Sequence, residues 1–114
     1  MYIRGFRNDL HRPAPLRRLT VMREKYIEQK LVKAVKNKGG LAPKFVAIGI
    51  DGMPDRLALL PGGRIAFVEV KAKGKKLRPL QVRRKKQLED LGFLHFTLDD
   101  EEQIGGMIDE ICTT

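Results

Sequence analysis

Two carboxylates and a lysine have the types and the spacing to act on a phosphodiester. Asp55 heads the run Asp-Arg-Leu-Ala-Leu-Leu, and Glu69-Val70-Lys71 closes the run Ile-Ala-Phe-Val-Glu-Val-Lys. Unpaired charges at the ends of buried strands are expensive, so their presence asks for a reason. The intervening Pro61-Gly62-Gly63 fits a hairpin turn. Residues paired across that turn have numbers summing to about 124, which sets Asp55 opposite Glu69. Opposed like charges repel. A divalent cation between them removes the conflict, and two carboxylates, a backbone carbonyl and water form the all-oxygen shell that Mg²⁺ or Mn²⁺ prefers. Lys71 falls on the same strand face as Glu69, where an ammonium can orient water or stabilise charge developing on phosphorus. The structural alternative is a hairpin whose carboxylates pair with Arg56 or Arg64.

A helix must carry further acids towards these strands. Residues 21–38 show a helical period, with Ile27, Leu31, Ala34 and Val35 on one face and Lys25, Gln29, Lys30, Lys33 and Lys36 on the other. At about 100° per residue, Glu24 and Glu28 fall within the apolar arc, not among the lysines. One of them can complete a metal shell or bind its waters. Thr20 is placed to cap this helix and Gly39-Gly40 to end it. Lys44–Ile48 is predicted as a first strand, Asp55–Leu60 as a second and Arg64–Lys71 as a third. A helix from Pro79 to about Leu91, a strand from Phe93 to Leu98 and a helix from Asp99 or Asp100 to about Cys112 follow. The expected fold is thus α/β, in the order α-β-β-β-α-β-α, a mixed sheet flanked by helices. Gln81, early in the helix after the third strand, is placed to position water or substrate. His95 reads as a satisfied strand residue, not a catalytic base.

The charge is concentrated. The chain of 114 residues has a net charge of +9, yet Lys71–Lys86 alone holds nine basic residues and no acidic one. Outside that stretch 14 basic and 14 acidic residues balance, and no Lys or Arg follows Lys86. One segment therefore builds a basic surface suited to a polyanion, with Lys73, Lys75, Lys76, Arg78, Arg83 and Arg84 as candidate DNA contacts. The bland reading is a solubilising face. Residues 1–20, with Pro13, Pro15 and five arginines, read as an extended basic arm, leaving residues 21–114 as one domain. The N-terminus has no apolar core of a secretory signal, and no apolar run nears the roughly 20 residues that span a bilayer. Cys112 is the sole cysteine, so no intrachain disulfide can form; this suits a reducing cytoplasm.

Pro54-Asp55 followed by Glu69-Val70-Lys71 is similar to the PD-(D/E)XK nuclease signature. With the helix EKYIEQKLVKAVKNKGG and the run GMPDRLALLPGGRIAFVEVKAKGKKLRPLQ, the chain resembles the VRR-NUC family over roughly residues 20–110. The resemblance implies a single restriction-endonuclease-like domain and a Mg²⁺-dependent endonuclease, with Mn²⁺ able to substitute. It assigns Asp55, Glu69 and the Val70 carbonyl as metal ligands, Lys71 as the catalytic lysine and Gln81 as the family glutamine. For the helix acid it favours Glu28, with Glu24 the alternative. Short members of the family occur in phages and bacteria and resemble Holliday-junction resolvases in fold. Some act as homodimers on branched DNA, and larger relatives belong to repair nucleases. The implied setting is the cytoplasm of a bacterium or phage-infected host. Nicking, flap cutting, restriction-like cleavage and a non-catalytic basic DNA-binding module remain the competing readings.

Overall fold

The computed structural model describes residues 14–114. Helix α1 (Ala14–Asn37) leads into strands β1 (Arg56–Leu60) and β2 (Arg64–Val70), helix α2 (Pro79–Asp90), strand β3 (Leu94–Leu98) and helix α3 (Gln103–Thr113). The sheet order is β1-β2-β3, antiparallel between β1 and β2 and parallel between β2 and β3. A parallel neighbour requires a crossover, and α2 supplies it.

Alternation along β2 divides its side chains between two layers. Ala66, Val68 and Val70 join Ile27, Leu31 and Val35 of α1 and Ile104, Met107, Ile108 and Ile111 of α3 in the main core. The helical period read from the sequence is the one that packs: Leu31 and Val35 are fully buried, each contributing about 2 kcal/mol of apolar burial. On the opposite face the Phe67 ring meets Phe45 and Phe93 edge-on, with centroids 5.8 and 5.6 Å away. Glu69, two residues on from Phe67, therefore points to this second face. Gly39, at a φ of 85°, ends α1, and Gly40 then passes so close to β1 that a Cβ there would lie 2.1 Å from the Leu59 carbonyl oxygen.

Two expectations are corrected. The helix does not begin after Thr20: it starts at Ala14, Thr20 is buried, and its hydroxyl donates to the Leu16 carbonyl. Pro15 lies in the first helical turn, where a missing N–H costs nothing, so this proline marks the helix's start. Arg17 and Arg18 accordingly belong to α1, while Arg4, Arg7 and Arg12 lie outside the described residues. The strand expected at Lys44–Ile48 does not form either. Residues 41–45 instead run beside β1 through isolated bridges, Leu41 with Leu59 and Lys44 with Arg56. Pro43 has no N–H to donate at this edge, and the chain beyond Phe45 leaves the sheet, exposing Val46 and Ile48. The order is therefore α-β-β-α-β-α.

Candidate active site

The hairpin register decides the site. Arg56 pairs with Val68, so the next step outward sets Asp55 beside Glu69, as the turn position predicts. The strands end here, at the edge of α2. Together with Glu24, Val70, Lys71, Lys75, Arg78 and Gln81, the two acids line one cleft of about 250 Å³. Val21 of α1 and Met53 form its apolar wall.

Electrostatically the cleft is crowded with like charge. Glu69 is only 5% exposed. Burial, and then the neighbouring Asp55 charge, push its carboxyl up to about 8, against the opposing pull of Lys71 and Arg78. Asp55 stands at the cleft mouth with one side open to water; burial of its inner side and then the Glu28 charge raise its pKa. Burial lowers the pKa of half-buried Lys71, opposed by Glu69 and Glu24. Among the described residues neither Asp55 nor Glu69 forms an ion pair, so the alternative in which Arg56 or Arg64 neutralises them does not hold. Arg56 goes to Glu28, and Arg64 donates to the Pro61 carbonyl.

The two helix acids have separate partners. Glu28 accepts from Arg56 Nη2 at 2.6 Å, while Arg56 Nη1 donates to the Ala42 carbonyl at 2.9 Å. Glu28 lines the neighbouring lysine-rich hollow and does not line the cleft of Asp55 and Glu69. Glu24 does line that cleft, and its Oε2 accepts from the Ala72 N–H at 3.3 Å. The alternative acid is thus the one that the geometry brings to the site. The signal for Arg56 was present in the sequence as a charge within an apolar strand, but its partner is 28 residues away. This division makes a measurable difference. Glu28→Gln is expected to lower stability by about 2–3 kcal/mol, because buried Arg56 loses its counter-charge. Glu24→Gln is expected to leave stability within about 1 kcal/mol and to weaken metal binding. Thermal unfolding and metal titration of both variants check this.

Gln81 is buried at the cleft wall, and its Oε1 accepts from the Arg78 N–H at 2.9 Å, fastening the start of α2. Of the candidate DNA contacts, Lys75 and Arg78 line the cleft, whereas Lys73 turns to Asp100 at 3.3 Å. Lys76 is exposed, and Arg83 and Arg84 border a hollow along α2. Arg84 also donates to the Asp51 carbonyl. His95 is buried, but its Nδ1 has no hydrogen-bond partner among the described residues, contrary to the satisfied residue expected. Burial and then Lys85 lower its pKa to about 4, so it is neutral at physiological pH.

Among the described residues no three acidic, His or Cys side chains already stand as a complete metal cage. The oxygen donors nevertheless fit a hard cation. Asp55 and Glu69 supply two crowded carboxylates in need of positive charge, and Mg²⁺ is commonly held by one or two carboxylates with water filling its shell. No helix among the described residues is long and apolar enough to cross a membrane.

No family model matches the sequence. A curated phage protein, "Putative nuclease p44" of Acyrthosiphon pisum secondary endosymbiont phage 1, is 45% identical over 84 residues, covering 74% of this chain and 90% of its own length. A solved structure described as "VRR_NUC domain" superimposes with a TM-score of 0.72 at 31% identity, covering 76% of this chain and 95% of its own. Sequence and fold agree with the acids and lysine gathered at the end of the β1–β2 hairpin: this chain belongs to the VRR-NUC family of nucleases.

Proposed function

We propose that the chain is a metal-dependent DNA endonuclease using Mg²⁺, with Mn²⁺ as a substitute, and that it cuts branched DNA such as a Holliday junction as a homodimer. The observation that carries the chemistry is the pairing of Asp55 with Glu69 beside Lys71 in a cleft bordered by Lys75 and Arg78. Asp55, Glu69 and the Val70 carbonyl would hold the ion, with Glu24 binding its water. When bound, such an ion polarises the scissile phosphate and makes hydroxide available near neutral pH.

The protein's own groups do the remaining work. Lys71, beside Glu69, orients the attacking water and neutralises charge developing on the phosphate oxygens. Arg78 and Lys75 attract the neighbouring phosphates, and the exposed bases of α2 extend that attraction along the backbone. Gln81 fixes the first turn of α2 through Arg78 and so keeps the cleft's far wall in position. A C2 dimer offers two equivalent clefts to the two strands of a nearly two-fold junction. The reading fits a phage or bacterial protein acting in the cytoplasm.

The direct test is cleavage of a four-way junction, a flap and a linear duplex of matched sequence, with Mg²⁺, Mn²⁺ or chelator. Paired symmetric cuts confined to the junction and lost in chelator are expected. Equal cutting of all three substrates would retain the nuclease and reject junction specificity. Binding without cutting in either metal would leave a DNA-binding module. Binding should also weaken steeply with salt, by on the order of 10³-fold between 50 and 200 mM if about six phosphates are contacted. A flat salt response in a binding titration would reject the basic-surface model.

A further inference from the structure

The most exposed large apolar side chain in the described structure is not on a helix face. Ile48 is 94% exposed, Val46 is 79% exposed and Ile50 is 50% exposed, all on the loop that leads into Asp55. Solvent exposure of three branched aliphatic residues within five positions is costly for a loop left uncovered by the described residues.

This loop is held firmly at its base. The Phe45 N–H donates to the Asp55 carbonyl at 2.8 Å, closing residues 46–54 into a loop. The Phe45 ring packs on Phe67 in the sheet. On the far side, Arg84 Nε donates to the Asp51 carbonyl at 2.8 Å. Gly52, at a φ of 82°, lies so close to α2 that an added Cβ would be 2.7 Å from the Leu80 carbonyl oxygen. Gly49, at a φ of 88°, makes the turn beside Ile48 with no neighbour within 4 Å of its would-be Cβ. The base is therefore fixed to the same backbone that carries Asp55, and the tip projects freely.

The surroundings of the tip carry a basic excess on both sides, with Glu24, Glu28 and Asp90 outnumbered by lysines and arginines and Asp51 the one acid on the loop itself. Lys44, at the loop's entrance, borders a hollow that also contains Lys25, Lys33 and Lys36 of α1. On the other side Arg84 of α2 reaches the loop through the Asp51 carbonyl and borders a hollow together with Arg83 and Lys86. An apolar point between two cationic flanks, rigidly joined to the cleft that cuts phosphodiesters, matches DNA whose bases are accessible. Phosphates take the flanks, and the aliphatic tip enters between bases that are already partly unstacked.

We propose that Ile48, supported by Val46 and Ile50, is a wedge that inserts at the unstacked base step of branched DNA and so selects a branch for cutting at Asp55 and Glu69. Insertion is cheapest where stacking is already broken, which gives preference for a branch without any base-specific hydrogen bond. The inference rests on the DNA reading above and adds to it the residue that distinguishes the substrates.

The test is made without cleavage, in chelator, using a four-way junction and a linear duplex carrying 2-aminopurine at the branch step and at the equivalent linear step. Wild-type protein is expected to raise the fluorescence at the branch and not in the duplex. Ile48→Ser is expected to abolish that rise and to weaken junction binding about tenfold, with duplex binding unchanged. Ile48→Phe is expected to restore the rise. Because Ile48 is nearly fully exposed, neither substitution should change the melting temperature. An undiminished fluorescence rise with Ile48→Ser overturns the wedge, as does wild-type binding with no rise. Sedimentation of both proteins gives the other decisive outcome: a dimer that becomes a monomer with Ile48→Ser would make the tip a contact with a second copy, and the proposal would fall. Unstacking by wild-type protein that cuts nothing when metal is added would retain the wedge and reject the endonuclease reading.

Discussion

Glu69→Gln is expected to cut DNA cleavage by on the order of 10³-fold and at the same time to raise the melting temperature of the metal-free protein at alkaline pH. Both effects come from one carboxylate. Glu69 is almost wholly buried beside Asp55, and its pKa of about 8 stands above the ordinary 4.5. A carboxyl whose folded pKa is raised favours folding while protonated. That contribution is complete below about 4.5 and is lost as pH rises through about 8. Glutamine keeps the shape and removes the ionisation, so above pH 8 it removes a cost of up to about 5 kcal/mol, on the order of 15 °C in melting temperature. At pH 5 the wild-type group is itself neutral and the two proteins should melt together. Activity should fall by on the order of 10³-fold, because the substitution removes an anionic ligand and an electrostatic contact to the reacting phosphate. Calorimetry at pH 5 and pH 8.5, beside a cleavage assay, measures both effects. A lower melting temperature for Glu69→Gln at pH 8.5 would show the carboxylate to be a stabilising partner within the fold, against the reading of a crowded metal site.

Metal binding is expected to release a proton, and its affinity to rise with pH up to about 8. An ion bound by Glu69 requires the carboxylate, while the metal-free cleft favours the acid. Below that pKa, affinity for Mg²⁺ or Mn²⁺ should increase about tenfold per pH unit, with about one proton released per ion. Asp55, whose pKa burial and the Glu28 charge also raise, adds to this proton dependence. Calorimetric titration in buffers of different ionisation enthalpy counts the proton directly. In Glu69→Gln the linkage near pH 8 should vanish along with most of the affinity. Equal affinity at pH 6 and pH 8 would sink the idea that Glu69 is a ligand. The lowered pKa of Lys71 bounds the activity from the other side: cleavage that needs the ammonium should decline once that group begins to lose its proton at alkaline pH.

Such linkage explains why the cleft tolerates an arrangement that ordinary stability would reject. Two acids, offset only in part by Lys71 and Arg78, are kept side by side by a hairpin whose register is fixed by Ala58, Leu60, Ala66, Val68 and Val70 in the core. A one-residue slip would turn those side chains outward, so the hydrophobic pattern also fixes where Asp55 and Glu69 stand. The apolar core thus holds two crowded carboxylates in place, where the proposed cation would supply positive charge.

The amino-acid sequence by itself determined the features that depend on local pattern. The alternation of β2, the turn at Pro61-Gly62-Gly63 and the helical stripe of Ile27, Leu31 and Val35 suffice to predict the hairpin, its register and the packing face of α1. Hence the meeting of Asp55 and Glu69, with Lys71 beside them, was legible in the sequence. Tertiary structure alone decided what depends on distant partners. Glu24 and Glu28 share one helical arc, and no local rule distinguishes them; Arg56, brought over by the sheet, takes Glu28 and leaves Glu24 facing the cleft. The segment around Lys44–Ile48 has the composition of a strand, yet Pro43 and the closure between Phe45 and Asp55 make it a projecting loop. Pattern sets which way a side chain points along its own element, but the choice among equivalent charges and edges is made by whichever long-range partner arrives to satisfy them.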